Sequence, residues 1–140
     1  MKIHHAMEFV GRQHRGVLAT VRSNGLPQIS NVVYSTIDGA VWVSVTDDRA
    51  KTANLRRDPR AVLHVTTEDF TSYVVMECDI ELTPVASRPD DGTIADLRRL
   101  YRNISGEHPD WDEFDRAMIA DRRLVARLYP VHSYGQLGDV

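Results

Sequence analysis

Residues 16–45 have the sequence GVLATVRSNGLPQISNVVYSTIDGAVWVSV, and this stretch decides the fold. It contains three runs rich in small, β-branched and aromatic residues, separated by Asn24-Gly25 and by Asp38-Gly39. The three runs are residues 16–21, 28–37 and 41–45. Both dipeptides tolerate positive φ and are typical of tight turns between antiparallel strands. The stretch therefore predicts a three-stranded antiparallel meander.

The rest of the chain adds further short strands and short helices. Strands are predicted at residues 61–66, 73–82 and 124–134. Pro130 interrupts the last strand and indicates an edge position or a bulge. Apolar residues at helical spacing predict helices at residues 3–10 and 90–103. Short helices are also predicted at residues 49–57, stopped by Asp58-Pro59, and at residues 112–121, which begin with acids that complement the helix dipole. Asp90 and Thr93 are the candidate N-caps of the third helix.

These elements predict a mainly β protein with short α-helices, built as one domain over residues 1–140. Six or so short antiparallel strands in a chain of 140 residues favour a closed or partly closed barrel, which leaves few exposed edges. Strands such as Val41–Val45 and Tyr73–Leu82 are apolar enough to need cover on part of both faces. One face fills the barrel, and we expect a partner subunit to cover the other.

The composition excludes several classes of protein. A net charge of −3 argues against nucleic-acid binding, which normally requires a basic excess. Cys78 is the single cysteine, so no intrachain disulfide forms, and we interpret it as a small core residue. The six histidines follow no metal-binding motif, so no metal site is predicted. No apolar run is long enough to cross a membrane, and Met1–His5 does not resemble a secretion signal. We therefore expect a soluble, cytoplasmic protein.

A basic segment is the most informative feature for function. Residues 49–60 contain five basic residues and one acid in an otherwise acidic chain. Arg49, Lys51 and Thr52 stand at the predicted start of a helix, where free N–H groups and the helix dipole favour an anion such as phosphate. The residues alone leave a second interpretation open, in which the segment is simply a solvated basic helix.

A second group of polar residues lies on the second predicted strand. The alternation of a strand places Gln28 and Ser30 on one face and Ile29 and Asn31 on the other. Their polar groups suit the edge of a heteroaromatic ring, although hydrogen bonds to neighbouring loops satisfy them equally well. The sequence contains no G-x-S-x-G and no G-x-G-x-x-G. Catalytic side chains are therefore unknown, and any redox chemistry would belong to a bound cofactor.

Several motifs together resemble a known family. They are Gly16-Val17-Leu18-Ala19-Thr20; Gly25-x-Pro27-Gln28-x-Ser30-Asn31; Arg49-Ala50-Lys51-Thr52-x-Asn54-Leu55-Arg56-Arg57-Asp58-Pro59; Leu100-Tyr101-Arg102-Asn103-Ile104-x-Gly106-Glu107-His108-Pro109-Asp110-Trp111; and Asp121-Arg122-Arg123. Over nearly the whole chain and in the same order, they resemble the pyridoxamine 5′-phosphate oxidase-like split β-barrels. Within these, they are most similar to the actinobacterial reductases that depend on the deazaflavin coenzyme F-420.

The resemblance implies an FMN-binding split β-barrel fold and a homodimer with cofactor sites between the subunits. It also implies roles for nine residues. Arg49, Lys51 and Thr52 would hold the cofactor phosphate with Asn54 nearby, Gln28, Ser30 and Asn31 would line the ring, and Ser72 and Tyr73 would approach from the other subunit. Relatives usually carry tryptophan just before the Ser-Tyr pair, where this chain has Phe70-Thr71, and they tend to have glycine at the position of Cys78.

The function implied is that of an F-420-dependent oxidoreductase. The reduced cofactor would donate a hydride to a small unsaturated or quinone-like organic substrate. Two alternatives remain: an FMN-binding oxidoreductase of the pyridoxamine 5′-phosphate oxidase type, and a non-catalytic F-420 carrier protein.

Overall fold

The computed structural model describes residues 1–138 and forms a closed six-stranded barrel with four helices in that range. The elements are α1 (Ile3–Gly11), β1 (Arg15–Val21), β2 (Pro27–Ile37), β3 (Ala40–Thr46), α2 (Ala50–Arg57), β4 (Arg60–Thr66), β5 (Tyr73–Leu82), α3 (Gly92–Ser105), α4 (Trp111–Ala120) and β6 (Arg123–Gln136). Neighbouring strands pair in the order β1-β2-β3-β6-β5-β4, all antiparallel, and β4 returns to β1. The mainly β fold and its six strands are confirmed. The last two residues of the predicted domain, 139 and 140, lie outside the described range.

The barrel interior is filled by alternate residues of each strand. On β3, for example, Val41, Val43 and Val45 are buried in the core. Pro27 opens β2, where its missing N–H interrupts no interior part of the ladder. Cys78 lies in the same core and is 2% exposed, which confirms its interpretation as a core residue. Burial raises the pKa of its thiol to about 12.

Helices α1 and α2 contribute to the same core. Ala6, Phe9 and Val10 of α1 pack with the barrel residues, and the Tyr34 hydroxyl donates to the Val10 carbonyl oxygen at 2.7 Å. Leu55 is the core residue of α2, the helix that links β3 to β4. Both helices therefore anchor to the barrel through buried apolar side chains.

Helices α3 and α4 pack against the outer face of β3 and β6. Trp42 and Val125, which point outward from these strands, are buried among Leu97, Leu100 and Phe114 of the two helices. The expectation that a partner subunit covers the outer face of Val41–Val45 is therefore wrong for this strand, because the chain's own helices cover it. Within residues 1–138, no helix has the length and apolar character to cross a membrane.

Two local predictions were tested by the structure. The N-cap of α3 is Asp91, whose carboxylate accepts from the Ile94 N–H at 2.8 Å, so the candidates Asp90 and Thr93 are wrong. The Thr93 hydroxyl instead donates to the Pro84 carbonyl oxygen.

Pro130 lies at a bulge, as predicted: the β5–β6 register shifts where Pro130 pairs with Cys78. This part of β6 also lies beyond the residues that pair with β3, so it is paired on one side only.

Gly135 is a position where two backbones approach too closely for any side chain. A Cβ there would overlap the Tyr73 carbonyl oxygen and lie 3.0 Å from the Val74 Cα. We expect Gly135→Ala to lower the free energy of unfolding by about 2–3 kcal/mol, the upper part of the range for overpacking. Chemical denaturation measures this loss.

The matched control is Gly92→Ala, because a Cβ at Gly92 meets nothing within 4 Å. This change should alter the stability by no more than about 0.5 kcal/mol. Equal stabilities of the two variants would contradict the close approach of β5 and β6.

Candidate functional site

A cavity of about 380 Å³ lies between the barrel and the α3–α4 pair. Such a volume lies within the usual range for small-molecule sites. The cavity is lined by Asn31, Val32, Val33, Val43, Ser44, Lys51, Leu97, Leu100, Tyr101, Ile104, Phe114, Met118, Asp121 and Arg123. Its polar groups come from β2, β3, α2 and the turn before β6, whereas α3 and α4 supply an apolar wall.

The start of α2 offers unused hydrogen-bond donors beside this cavity. Arg49 is the N-cap residue, and its side chain makes no capping hydrogen bond. Its carbonyl oxygen accepts from the Thr52 and Ala53 N–H groups. Within residues 1–138, the N–H groups of Ala50 and Lys51 have no hydrogen-bond partner. Two backbone donors at the positive end of a helix therefore remain available to an anion.

Three cationic side chains lie near these donors, and among the described residues only one of them, Arg123, contacts an acid. Asp47 is already paired with Arg56 at 2.6 Å and with Arg122 at 3.0 Å. In the described part of the chain, no carboxylate pairs with Lys51 or Arg49. Arg123 lies 3.7 Å from Asp121, which is a long contact for an ion pair. Lys51 and Arg123 line the cavity beside Asp121, and Arg49 lies close to Lys51. We call this mainly cationic part of the cavity the anion-binding end.

The three cations are close enough for their charges to interact. Burial, followed by the nearby charges of Arg49 and Arg123, lowers the pKa of Lys51 below its usual value. The Arg123 guanidinium donates to the Ser44 hydroxyl at 3.1 Å through Nη1. Its Nε is buried without a hydrogen-bond partner among the described residues. A buried donor without a partner is costly, and a bound anion is the natural acceptor for it.

Thr52 and Asn54 are buried and act on the position of α2. The Thr52 hydroxyl donates to the Thr46 carbonyl oxygen at 2.7 Å. The Asn54 amide donates to the Thr20 hydroxyl at 3.1 Å and accepts from Arg57. These bonds hold the first turn of α2 against the ends of β3 and β1. A direct contact of Thr52 with phosphate stays a prediction.

The predicted ring-lining residues lie on two different faces of β2, one outside the barrel and one toward its interior. Asn31 lies on the outer face and lines the cavity. Gln28 and Ser30 alternate with it and occupy the same side of β2 as the buried Val32. The Gln28 side-chain oxygen accepts from the Thr20 hydroxyl, and the Ser30 hydroxyl is buried without a partner among the described residues. Of these three predicted residues, the structure places only Asn31 in the cavity.

Ser72 and Tyr73 do not line this cavity in the same chain. They lie where β5 begins, after a turn that carries Phe70 at φ 62° with 78% of its surface exposed. The Ser72 hydroxyl accepts from the Gly138 N–H at 2.6 Å, and the Tyr73 ring lies 5.8 Å from the His64 ring. A contact of these residues with a cofactor held by the other subunit stays a prediction.

Sequence reasoning missed Arg123 as a site residue. The run Asp121-Arg122-Arg123 was recognised as a motif, but its distance along the chain from Lys51 gave no reason to join the two. The structure joins them because β6 pairs with β3, so the first residue of β6 lies opposite Thr46 at the end of β3, shortly before α2 begins.

A family model described as pyridoxamine 5′-phosphate oxidase matches residues 3–128 of the chain. The chain belongs to this family. The resemblance to this family and its split β-barrel fold, inferred from the motifs, are thereby confirmed.

Solved structures share the fold of this family member over nearly its whole length. A conserved hypothetical protein from Mycobacterium tuberculosis matches with a TM-score of 0.76 and 23% identity, covering 97% of this chain and 84% of that protein. An F-420 reductase matches with a TM-score of 0.71 and 22% identity, covering 91% of this chain and 94% of that protein. A heme binding protein from Mycobacterium smegmatis matches with a TM-score of 0.72 and 21% identity, covering 97% of this chain and 54% of that protein. At these identities the matches establish the fold.

The lowered pKa of Lys51 has a direct test, because Lys2 and Lys51 are the only lysines in the chain. We expect the Lys51 side chain to lose its proton below the ordinary lysine value of about 10.4. Lysine-selective ¹³C NMR over a pH series measures this, and the signal is assigned by its loss in Lys51→Arg.

Saturating inorganic phosphate should raise the pKa of Lys51, because an anion favours the charged form. Arg123→Ala should raise it as well, because one repelling charge is removed. A Lys51 pKa that responds to neither change would place the lysine away from the anion-binding end.

Proposed function

We propose that this protein is an F-420-dependent oxidoreductase that acts on a small unsaturated or quinone-like organic substrate. The observation that carries the proposal is the anion-binding end of the cavity, where Arg49 and Lys51 have no carboxylate partner among the described residues and Arg123 has only a 3.7 Å contact with Asp121. A phosphate-bearing cofactor suits such a site. The fold shared with an F-420 reductase supports the choice of cofactor, as do the subgroup motifs in the sequence.

The residues present fit the proposed cofactor at its phosphate. Lys51 and the free N–H groups of Ala50 and Lys51 would bind the phosphate oxygens. Arg123 Nε would gain the acceptor that it lacks, and Arg49 would add charge. When bound, reduced F-420 supplies a hydride, so the protein needs no nucleophile of its own.

The other side chains would orient the ring and exclude water. Asn31 offers an amide on the cavity side of β2, and the apolar wall of α3 and α4 keeps water from one side of the cavity. Thr52 and Asn54 hold α2 in place through their buried hydrogen bonds. In this proposal, Gln28 and Ser30 contribute by shaping β2 from inside the barrel.

We further propose that the site is completed by a second copy of the chain. Large apolar side chains remain exposed on β2 and on the second half of β6, among them Ile29 at 62% and Val131 at 57%. Burial of this face in a homodimer removes it from water. The partner would bring Ser72 and Tyr73 to the cofactor, and Phe70 would take the place of the tryptophan found in relatives.

FMN remains the alternative cofactor, because its phosphate suits the same donors and cations. A non-catalytic F-420 carrier remains the alternative role, because the described site contains no side chain assigned to catalysis. Binding experiments distinguish FMN from F-420 as the cofactor. Turnover with electron acceptors distinguishes an enzyme from a carrier.

The proposal is tested by titrating the protein with F-420 and with FMN in parallel, followed by fluorescence. Lys51→Ala should weaken binding of the preferred cofactor by about 1.5–3 kcal/mol, the range for a hydrogen bond to a charged group. This corresponds to roughly a 10- to 150-fold higher Kd. The matched control is Lys2→Ala, which removes the other lysine, an exposed residue at the start of α1.

The outcomes are distinct. Tight F-420 binding with weak FMN binding supports the proposal, and the reverse moves the protein to the FMN oxidoreductases. An unchanged Kd in Lys51→Ala would show that the phosphate binds elsewhere. Tight F-420 binding without turnover of any acceptor would favour the carrier.

A further inference from the structure

The side of the cavity formed by α3 and α4 has a different chemical character from the part that carries Lys51. Six side chains of α3 and α4 line it: Leu97, Leu100, Tyr101, Ile104, Phe114 and Met118. We call this end the α3–α4 lobe. It contains two aromatic rings and a methionine but, among its six side chains, a single polar group, the Tyr101 hydroxyl.

The walls of the lobe are fixed by a buried ion pair. Arg98 of α3 donates two hydrogen bonds to Asp115 of α4, from Nε at 2.9 Å and from Nη2 at 2.6 Å. The Asp115 side chain is only 3% exposed. A bidentate pair in a buried position fixes the two helices relative to each other. The width of the lobe is therefore set by contacts behind its lining.

Aromatic packing makes the wall rigid as well. Tyr101 and Phe114 meet edge to face with ring centroids 5.3 Å apart, and Trp111 packs against both rings. The Trp111 indole N–H donates to Glu107, which also accepts from Arg102. Edge-to-face contacts define ring orientations, so the lobe presents a shaped apolar surface.

The charges nearest the lobe are already compensated. Arg98 is paired with Asp115, Arg102 is paired with Glu107, and both guanidinium groups lie against the Trp111 ring. By contrast, Arg49 and Lys51 have no carboxylate partner among the described residues, and Arg123 has only a 3.7 Å contact with Asp121. One cavity thus joins a mainly cationic end, which includes Asp121, to a lobe whose six side chains carry no charge.

A deazaflavin or flavin ring is a poor occupant for the lobe, because the polar edge of such a ring needs several hydrogen-bond partners. The lobe offers one hydroxyl, whereas Asn31 and Ser44 on the strand side offer an amide and a hydroxyl. Buried polar groups without partners cost free energy. The ring is therefore better satisfied along the strands, and the lobe is left for a second molecule.

We propose that the α3–α4 lobe is the substrate subsite and that it binds an uncharged, flat, mainly apolar molecule. The flexible Met118 thioether and the Phe114 and Tyr101 rings suit an aromatic or quinonoid ring. A charged group on that ring finds no partner in the lobe and is rejected. This assignment of a substrate class rests on the proposed function, which puts the cofactor phosphate at Lys51.

The test uses two probes that differ by one charge, 1,4-naphthoquinone and 1,4-naphthoquinone-2-sulfonate. The anion-binding end is first saturated, in one series with F-420 and in another with inorganic phosphate. Calorimetry gives the Kd of each probe, and methionine-methyl ¹³C NMR locates it, with Met7 and Met76 as references. Addition of the probe to a thiol is not expected, because the only cysteine, Cys78, is buried with its pKa raised to about 12.

We expect 1,4-naphthoquinone to shift the Met118 methyl signal and to bind at least tenfold more tightly than its sulfonate. Met118→Glu should weaken naphthoquinone binding at least tenfold and change the F-420 Kd less than twofold. The matched control, Ala117→Glu, places the same carboxylate on the exposed neighbouring position and should change neither. Met118→Trp fills the lobe without adding charge and should also block binding of the probe. It keeps the proposal testable if Met118→Glu does not fold.

Three results would overturn the proposal: equal binding of the two probes, no shift at Met118, or a loss of F-420 affinity in Met118→Trp as large as the loss for the probe. The last result would show that the lobe holds the cofactor ring. Failure of the proposed function looks different: F-420 does not bind, while naphthoquinone still occupies the lobe in the phosphate series. That outcome would contradict F-420 as the cofactor, but it would still support an uncharged apolar ligand in the lobe.

Discussion

The pairing of β1 with β4 is the constraint on which the rest of the molecule depends. Val17–Thr20 pair with Ala61–His64, and this ladder closes the sheet into a barrel. Gly16 lets these two strands approach closely, because a Cβ there would lie 3.0 Å from the His64 carbonyl oxygen. Closure also fixes α2, which must cross from β3 to β4 with Leu55 buried in the core. The start of α2 is therefore held beside the cavity by the geometry of the barrel.

The electrostatics around α2 serve a ligand better than they serve folding. Asp47 binds two guanidinium groups and Asp58 binds Arg60, so neither acid compensates Arg49 or Lys51, and Arg123 has only a 3.7 Å contact with Asp121. Like charges held together destabilise the folded state, and burial together with these charges lowers the pKa of Lys51. A bound anion removes this repulsion and adds its binding free energy to the stability of the protein. A local departure from good packing and pairing of charges is typical of a functional site.

The strands were predictable because alternation and turn residues are local signals. Asn24-Gly25 and Asp38-Gly39 place the first two turns without any knowledge of the fold. The helix cap at Asp91 was missed because Asp90 beside it carries the same side chain, and only the backbone decides between them. Alternation separated Asn31 from Gln28 and Ser30, but the face that turns outward is set by barrel closure. Arg123 joins Lys51 through strand pairing between β3 and β6, which no local pattern reveals.

The α3–α4 pair has two tasks that constrain each other. Leu97, Leu100 and Phe114 cover the outer face of β3 and β6, and the same residues line the cavity. Their apolar character is therefore required for stability, whatever the cavity binds. Met118 and Ile104 line the cavity without being fully buried, so they are freer to change. The anion-binding end belongs to the barrel and to α2, and it does not depend on these two residues. Under the proposed function, substitutions at Met118 and Ile104 would change the apolar end while the phosphate site stays the same.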